Sequence, residues 1–293
     1  MFEQIVNGIV LGSMYSLIAI GYTLVFGLLD KLNMAHGEVF VAGGFVGVFV
    51  LANDLPLWVA FLVAALIGGL LGLLIEFVSF RKFKTQDAQL TAALSTVALG
   101  MVMTDLIQKV WGTEPVPLKI SPSVYTSGFD FFGAKVTYVQ LSILFISIIL
   151  MYLLTIMVQK TKIGRFMRAV SENTVSSSLL GINAARVIQV TFFISSVLAA
   201  IAGIMFALRT GVASSTVALT FALKALAIMT IGGLGDLRGA LYVGLGVGVV
   251  EALAFHVGFG SIADLLVWIL LIVTLIFKPA GLFTKKSQVE IRV

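Results

Sequence analysis

The sequence predicts an all-α polytopic membrane protein: one transmembrane bundle of about eight to ten helices, with a re-entrant or broken helix among them. Three observations predict it. First, 59% of the 293 residues are hydrophobic and only 11% are charged, with a mean hydropathy of +1.10. Soluble domains carry about 25% charged residues, and no soluble fold could hide this much apolar surface. Second, the apolar runs are continuous and do not alternate every second residue, which excludes a closed β-barrel. Third, the basic residues gather into two loops and the C-terminal tail, the pattern that marks cytoplasmic segments.

Taken in order, the chain opens with MFEQIVNG, which lacks the basic region of a signal peptide and runs straight into an apolar segment. That segment reads as a first span and not as a cleaved leader. With it the candidate spans number nine, at 5–29, 36–52, 57–80, 90–110, 137–158, 187–208, 220–236, 239–257 and 262–277. The basic loops are 81–89, with Arg81, Lys82 and Lys84, and 159–186, with Lys160, Lys162, Arg165, Arg168 and Arg186. The tail adds Lys278, Lys285, Lys286 and Arg292. All three are expected inside, which places the N-terminus, with Glu3 and no basic residue, outside. The turn at Asn53 and Asp54 and the segment 111–136, with its prolines, aromatics and balanced charges, are then exterior, the latter with room for a short hairpin. Arg209 and Lys224 fit this scheme poorly, and residues 211–222 are weakly apolar; this is where a broken helix is expected.

Glycines recur four apart at Gly8/Gly12, Gly43/Gly47, Gly68/Gly72, Gly235/Gly239 and Gly244/Gly248. On helices such pairs share a face and let backbones approach closely. A weak internal echo relates 15–50 to 223–250, with both copies running the same way across the membrane.

Several chemistries are absent. No phosphate-binding loop occurs, since the chain has no Gly-Lys pair, and GGLGDLRG at 232–239 lacks its lysine. There is no zinc-protease or nucleophile-elbow motif. Two histidines and no cysteine leave no metal-site pattern. The net charge of +5 is a topology signal and not a nucleic-acid footprint. Ionisable groups inside the spans each need an explanation, because charge in lipid is expensive. Glu38 opens the second span, where an acid suits the helix dipole; it either stabilises that end or lines a path or gate. Glu76 and Asp105 read as snorkelling or capping groups. Glu251 reads as half of a structural pair with a nearby Arg or Lys, with a proton relay to His256 as the other option. Asp264 reads as a cap.

The loop 159–186 has a particular design. Ser171 or Asn173 can cap a short helix, and Gly181 can end it in the left-handed conformation. Val175 and Leu179 share a face of that helix. A rigid, capped helix between two spans suits insertion into a groove on another protein.

The segment RAVSENTVSSSLLGIN (168–183) resembles the coupling loop of ATP-binding-cassette importer permeases for branched-chain amino acids, the LivH type. The matching positions are Arg168, Ala169, Glu172, Asn173, Leu180, Gly181, Ile182 and Asn183; the chain departs at Thr174, where proline is usual, and at Ser176 to Ser178. LNMAHGEVFVAGGF (32–45) is similar to the family's segment at the second span, and makes Asn33, His36, Gly37, Glu38, Gly43 and Gly44 candidates for the pathway or gate. NGIVLGSMYSLIAIGYTLVFG, LKALAIMTIGGLGDLRGA and KPAGLF also look similar, so the resemblance covers almost the whole chain.

The resemblance implies that residues 1–293 form a single transmembrane permease domain of the bacterial or archaeal inner membrane. It implies a second related permease subunit as partner in a heterodimer, two ATPase subunits inside, and a periplasmic or extracellular substrate-binding protein outside. No cofactor is expected on this chain; ATP and magnesium belong to the ATPases. The chain would itself be no enzyme. A proton-coupled secondary transporter using Glu38, Glu251 or His256 is the competing class.

Overall fold

A computed structural model describes residues 1–81, 89–121, 127–131 and 134–283. In chain order its elements are α1 (Phe2–Leu29), α2 (His36–Ala52), α3 (Leu57–Ile75) with a π-helical turn (Glu76–Phe80), α4 (Gln89–Trp111), β1 (Val116–Pro117), β2 (Gly128–Phe131) and β3 (Ala134–Thr137). Then come α5 (Tyr138–Lys160), α6 (Lys162–Glu172), α7 (Thr174–Leu179), α8 (Ala184–Thr210), β4 (Val212–Ala213), α9 (Val217–Gly232), α10 (Leu237–His256) and α11 (Ala263–Phe277). Among the described residues seven helices are long and apolar enough to cross a membrane, α11 only together with the 3₁₀ turn Gly260–Ile262 that leads into it, while α2 and α9 are apolar but shorter. At 17 and 16 residues and 1.5 Å per residue they fall short of a hydrocarbon layer about 30 Å thick.

Small residues draw the bundle together. α1 packs on α10 through Gly8 and Gly12 against Gly244 and Gly248, where a Cβ on any of the four would strike the facing backbone or Ser16. α8 is the second centre. Gly43 of α2 lies against the Ala200 backbone, Gly203 against Phe40, and Gly68 and Gly72 of α3 against Ser196 and Phe192. Four of the five glycine pairs thus form the seams of the fold, where van der Waals packing replaces a hydrophobic drive that lipid cannot supply; Gly235 of the fifth pair is instead in the turn before α10, with φ +87°. Ser16 and Ser195 reinforce these seams by donating to the carbonyls of Leu241 (2.9 Å) and Gly21 (2.8 Å). The helices α3, α4, α5 and α11 sit outermost and leave most of their apolar surface uncovered.

The break expected near 211 is real. α8 ends at Gly211, with φ +78°, and α9 begins only at Val217. The gap holds β4, which pairs antiparallel with β1 of the segment 111–136, Val116 opposite Ala213. The hairpin expected in that loop is β2–β3, Gly128 opposite Thr137. A second break lies between α1 and α2. α1 ends at Asp30, with φ +54°, and α2 starts at His36. Leu28 at the end of α1 packs with Val187 at the start of α8, so the two long helices run antiparallel.

A second internal relation accompanies the echo between 15–50 and 223–250. A long helix, a left-handed stop, an extended stretch and a short helix occur as α1–α2 and again, inverted, as α8–α9. The two short helices meet at their amino ends: Gly37 packs on the Ala218 carbonyl and the Ala222 side chain. The inverted repeat is carried by helix lengths and breaks, whereas 15–50 and 223–250 share only glycines and acids.

Other expectations are corrected. Glu76 is buried within the π-helical turn and does not snorkel. The helices around the last glycine-rich turn run 217–232 and 237–256, not 220–236 and 239–257, because Asp236 caps α10 by accepting from Arg238 and Gly239 N–H groups. Most of the basic loop 81–89 and the tail residues Lys285, Lys286 and Arg292 lie outside the described residues.

Candidate functional site

The expected short helix of the polar loop is present, and it is joined to a second one. α6 is strongly amphipathic: Met167 and Val170 are buried with Leu28 and Val187, and its charged residues face outward. Its start is capped by Thr161, which accepts from the Gly164 N–H at 3.3 Å, and Arg168 donates back to the Val158 carbonyl at the end of α5. The sequence signal for α6 was the apolar spacing Ile163, Phe166, Met167, Val170, masked by the density of basic residues.

A sharp elbow then starts α7. Asn173 adopts an extended conformation and its Oδ1 accepts from Ser176 N–H at 2.8 Å. Ser171 makes no cap; it lies inside α6 and donates to the Arg168 carbonyl. At the far end Gly181 has φ +81° and its N–H reaches the Ser178 carbonyl at 3.0 Å, while Ile182 N–H reaches that of Ser177 at 3.0 Å. Asn183 caps α8 by accepting from Arg186 N–H at 3.1 Å. Three of the residues that carry the resemblance, Asn173, Gly181 and Asn183, are therefore the joints that aim α7.

Held this way, α7 presents apolar side chains that no described residue of the chain covers. Val175 is 71% exposed, Leu179 85% and Leu180 79%. Glu172 is exposed at the elbow, and Ile182 packs against the small cluster under α6. An exposed leucine pair on a rigid two-turn helix is a shape that fits a groove.

The pathway candidates lie at the first break. Asn33 and His36 are buried, and Asn33 makes no side-chain hydrogen bond among the described residues. His36 packs edge-on against Tyr22, ring centroids 4.5 Å apart, and over Gly21. Met34 N–H is held by Thr96 Oγ1 of α4 at 2.9 Å. Gly37 and Gly43 are contact points with α9 and α8, and Gly44 lines a void of about one water's size with Phe40, Phe206 and Ser214. Of the six only Glu38 reaches the surface, beside Gly100 of α4.

A charged cluster stands on the other side of α9. Lys224 Nζ donates to Glu251 Oε1 at 2.9 Å and to Tyr15 Oη at 3.0 Å, and pairs with Asp264 Oδ1 at 2.6 Å. Tyr15 donates in turn to Glu251 Oε2 at 2.9 Å. The structural pair expected for Glu251 is thus Lys224, the residue that fitted the topology poorly; His256 is exposed and takes no part. Asp264 is not a cap but the second counter-ion. Tyr15 was missed, since nothing in the sequence distinguishes a mid-span tyrosine that is bonded from one that is merely packed.

The matching family model is described as "Branched-chain amino acid transport system / permease component" and spans residues 4–275. The chain belongs to this family. It is 32% identical to the high-affinity branched-chain amino acid transport system permease protein LivH of Salmonella typhimurium, over 96% of this chain and 94% of the relative. It is 31% identical, with the same coverage, to the permease protein BraD of Pseudomonas aeruginosa. It is also 25% identical to the permease protein LivM of Salmonella typhimurium, over 92% of this chain and 67% of that one. Family members are transport components and not enzymes. Among the described residues no group of three metal-ligating side chains occurs.

Within this family assignment each resembling segment has a physical task here. KPAGLF closes the carboxyl end of α9: Leu282 and Phe283 N–H groups donate to the Ile231 and Gly232 carbonyls at 2.8 and 3.1 Å. The glycine-rich turn lets α9 and α10 touch at Gly232 and Gly239.

Proposed function

We propose that this chain is the membrane-spanning permease subunit of an ATP-binding-cassette importer in a bacterial or archaeal inner membrane. It moves branched-chain or closely related amino acids by alternating access. Residues 1–293 act as one permease domain beside a second, related permease. Two ATPase subunits, holding ATP and magnesium, bind on the cytoplasmic side, and a substrate-binding protein delivers cargo from outside.

One observation carries this reading: α7, capped at Asn173 and stopped at Gly181, exposes Val175, Leu179 and Leu180 in a chain with no nucleotide-binding motif of its own. Arg168, Ala169 and Glu172 lead into it, and Ile182 and Asn183 lead out. Closure of the ATPases on ATP pushes α7. α6 is packed under the end of α1, so the push reaches both long helices of the inverted pair. The apolar character of the interior suits a leucine-like side chain, with polar groups needed only at its zwitterionic end.

The test is uptake by the assembled complex with its binding protein, competed by a panel of amino acids, amides and urea. Competition by leucine, isoleucine and valine supports the reading. Competition by urea or amides alone refutes the substrate class.

A further inference from the structure

Buried polar atoms in folded proteins nearly always find a hydrogen-bond partner, and those that do not call for an explanation. Among the described residues six buried side-chain nitrogen or oxygen atoms have no partner, and five of them belong to Asn33, His36 and Glu38 at the amino end of α2. Asn33 is 1% exposed and His36 0%. Both polar atoms of Asn33 and both ring nitrogens of His36 are unpaired; the Ile18 carbonyl lies near the His36 ring but outside hydrogen-bond geometry. Glu38 turns back toward its own N–H and leaves Oε2 unpaired. The three residues are grouped. His36 N–H reaches the Asn33 carbonyl at 3.4 Å, and Tyr22, which packs on His36, has Glu38 as a charged neighbour. α2 itself starts without a side-chain cap.

The fold does not need these groups. α1 stops at Asp30 and α8 at Gly211, and α2 starts at His36 and α9 at Val217. The two copies of the inverted pair therefore align without a gap, and Asn33 corresponds to Ser214, His36 to Val217 and Glu38 to Leu219. The second copy builds the same break with apolar or paired residues: Ser214 Oγ lies 2.8 Å from Thr216 Oγ1, and Ser215 Oγ accepts from Gln108 at 3.2 Å. It is also pinned by the strand pairing of Ala213 with Val116. The first break is covered from outside by α4 alone of the outer helices that touch it here, through Thr96 on Met34 N–H and Gly100 on Glu38. The unpaired polarity of the first copy is thus chemistry added to a backbone that forms without it.

We infer that Asn33, His36 and Glu38 at the amino end of α2 are a recognition site for the ammonium and carboxylate groups of a zwitterionic α-amino acid, closed in this structure under α4. The inference rests on the reading of the chain as an amino-acid permease. Asn33 Nδ2 and a His36 ring N–H are donors for a carboxylate, which the positive end of the α2 dipole also favours. Glu38 Oε2 and Asn33 Oδ1 are acceptors for an ammonium group. A ligand with both charges satisfies both sets at once, whereas urea or a neutral amide carries neither charge. Displacement of α4 at Thr96 and Gly100 opens the site.

The chain has no cysteine, so one introduced thiol reports on the site. Met34→Cys, at a partly exposed position that leaves Asn33 and His36 in place, is labelled with a small thiol reagent in the assembled complex during ATP turnover, without binding protein. Leucine is expected to slow the labelling several-fold. 4-Methylpentanoate, which lacks the ammonium group, and 3-methylbutylamine, which lacks the carboxylate, are expected not to. Adding Asn33→Ala should raise the half-protecting leucine concentration about 10-fold or more, as loss of a hydrogen bond to a charged group does; Glu38→Gln, which keeps an acceptor oxygen, should raise it less. Ser215→Cys, the equivalent position in the second copy, should show no protection. Leu32→Cys, also partly exposed, replaces Met34→Cys if that variant does not assemble. Labelling that leucine does not slow would assign the unpaired atoms to bound water alone. No labelling, or equal protection by the singly charged analogues or at Ser215→Cys, would equally overturn the site. Leucine accumulation by the wild-type complex without protection removes the site alone; no accumulation of leucine at all defeats the transport reading, and the site with it.

Discussion

Replacing Gly181 with valine isolates the coupling role of α7 from its packing. Gly181 has φ +81°, and a Cβ added there meets nothing within 4 Å. The substitution therefore costs no collision; its whole effect is backbone strain, about 1–3 kcal/mol for a non-glycine residue in this region. That strain acts on one joint. It competes with the two hydrogen bonds that close α7, from Gly181 and Ile182 to the Ser178 and Ser177 carbonyls. A shift of this size changes the population of correctly aimed α7 by about 5- to 150-fold. The bundle is untouched, so assembly and thermal stability in detergent should stay close to wild type. The assay is uptake per ATP hydrolysed in proteoliposomes, where the Gly181→Val complex is expected to hydrolyse ATP with little transport. Gly181→Asn should retain more coupling, because asparagine tolerates the left-handed conformation. Normal transport per ATP in the valine variant would refute the assignment of α7 as the coupling element.

Lys224→Met should lower the unfolding temperature strongly, since it strands Glu251 and costs about 3–5 kcal/mol; adding Glu251→Gln should restore part of the loss, and fluorescence-detected size exclusion after heating measures both. Glu38→Gln should reduce transport modestly with stability nearly unchanged, whereas intact transport with lower stability would assign Glu38 to stabilising the start of α2 alone. Gly248→Leu should cost at least about 1–3 kcal/mol by overpacking against the Gly12 backbone, read as reduced yield of monodisperse protein; unchanged yield and stability would contradict the α1–α10 seam.

Much of this was legible in the sequence because the physics is local. Continuous apolar runs give helices in lipid, and each of the nine expected spans is a helix. Asn173 and Gly181 could be read as cap and stop because their side-chain chemistry fixes backbone geometry within a few residues. The glycine pairs marked the seams because only close backbone approach requires them at that spacing. What could not be read depends on distance along the chain. Tyr15 and Glu251 are 236 residues apart, and the ladder through Lys224 to Asp264 exists only once α1, α9, α10 and α11 are packed. Lys224 stood out as a misfit, since a charge inside a span has no local explanation; its partners lie on three other helices. The inverted pair of broken helices escaped for a related reason. Its two copies share lengths and stops, not residues: Asp30 holds the left-handed position in one and Gly211 in the other.

On the proposed function, transport through this chain is driven by ATPases it does not contain. It is tested most directly by radiolabelled leucine uptake into proteoliposomes that hold this chain, its partner permease, the ATPase pair and the binding protein. Accumulation against a gradient that requires internal or external ATP on the ATPase side, and that vanishes when the ATPases are omitted, is the expected result. Accumulation without the ATPases, driven by an imposed proton gradient, would contradict the account.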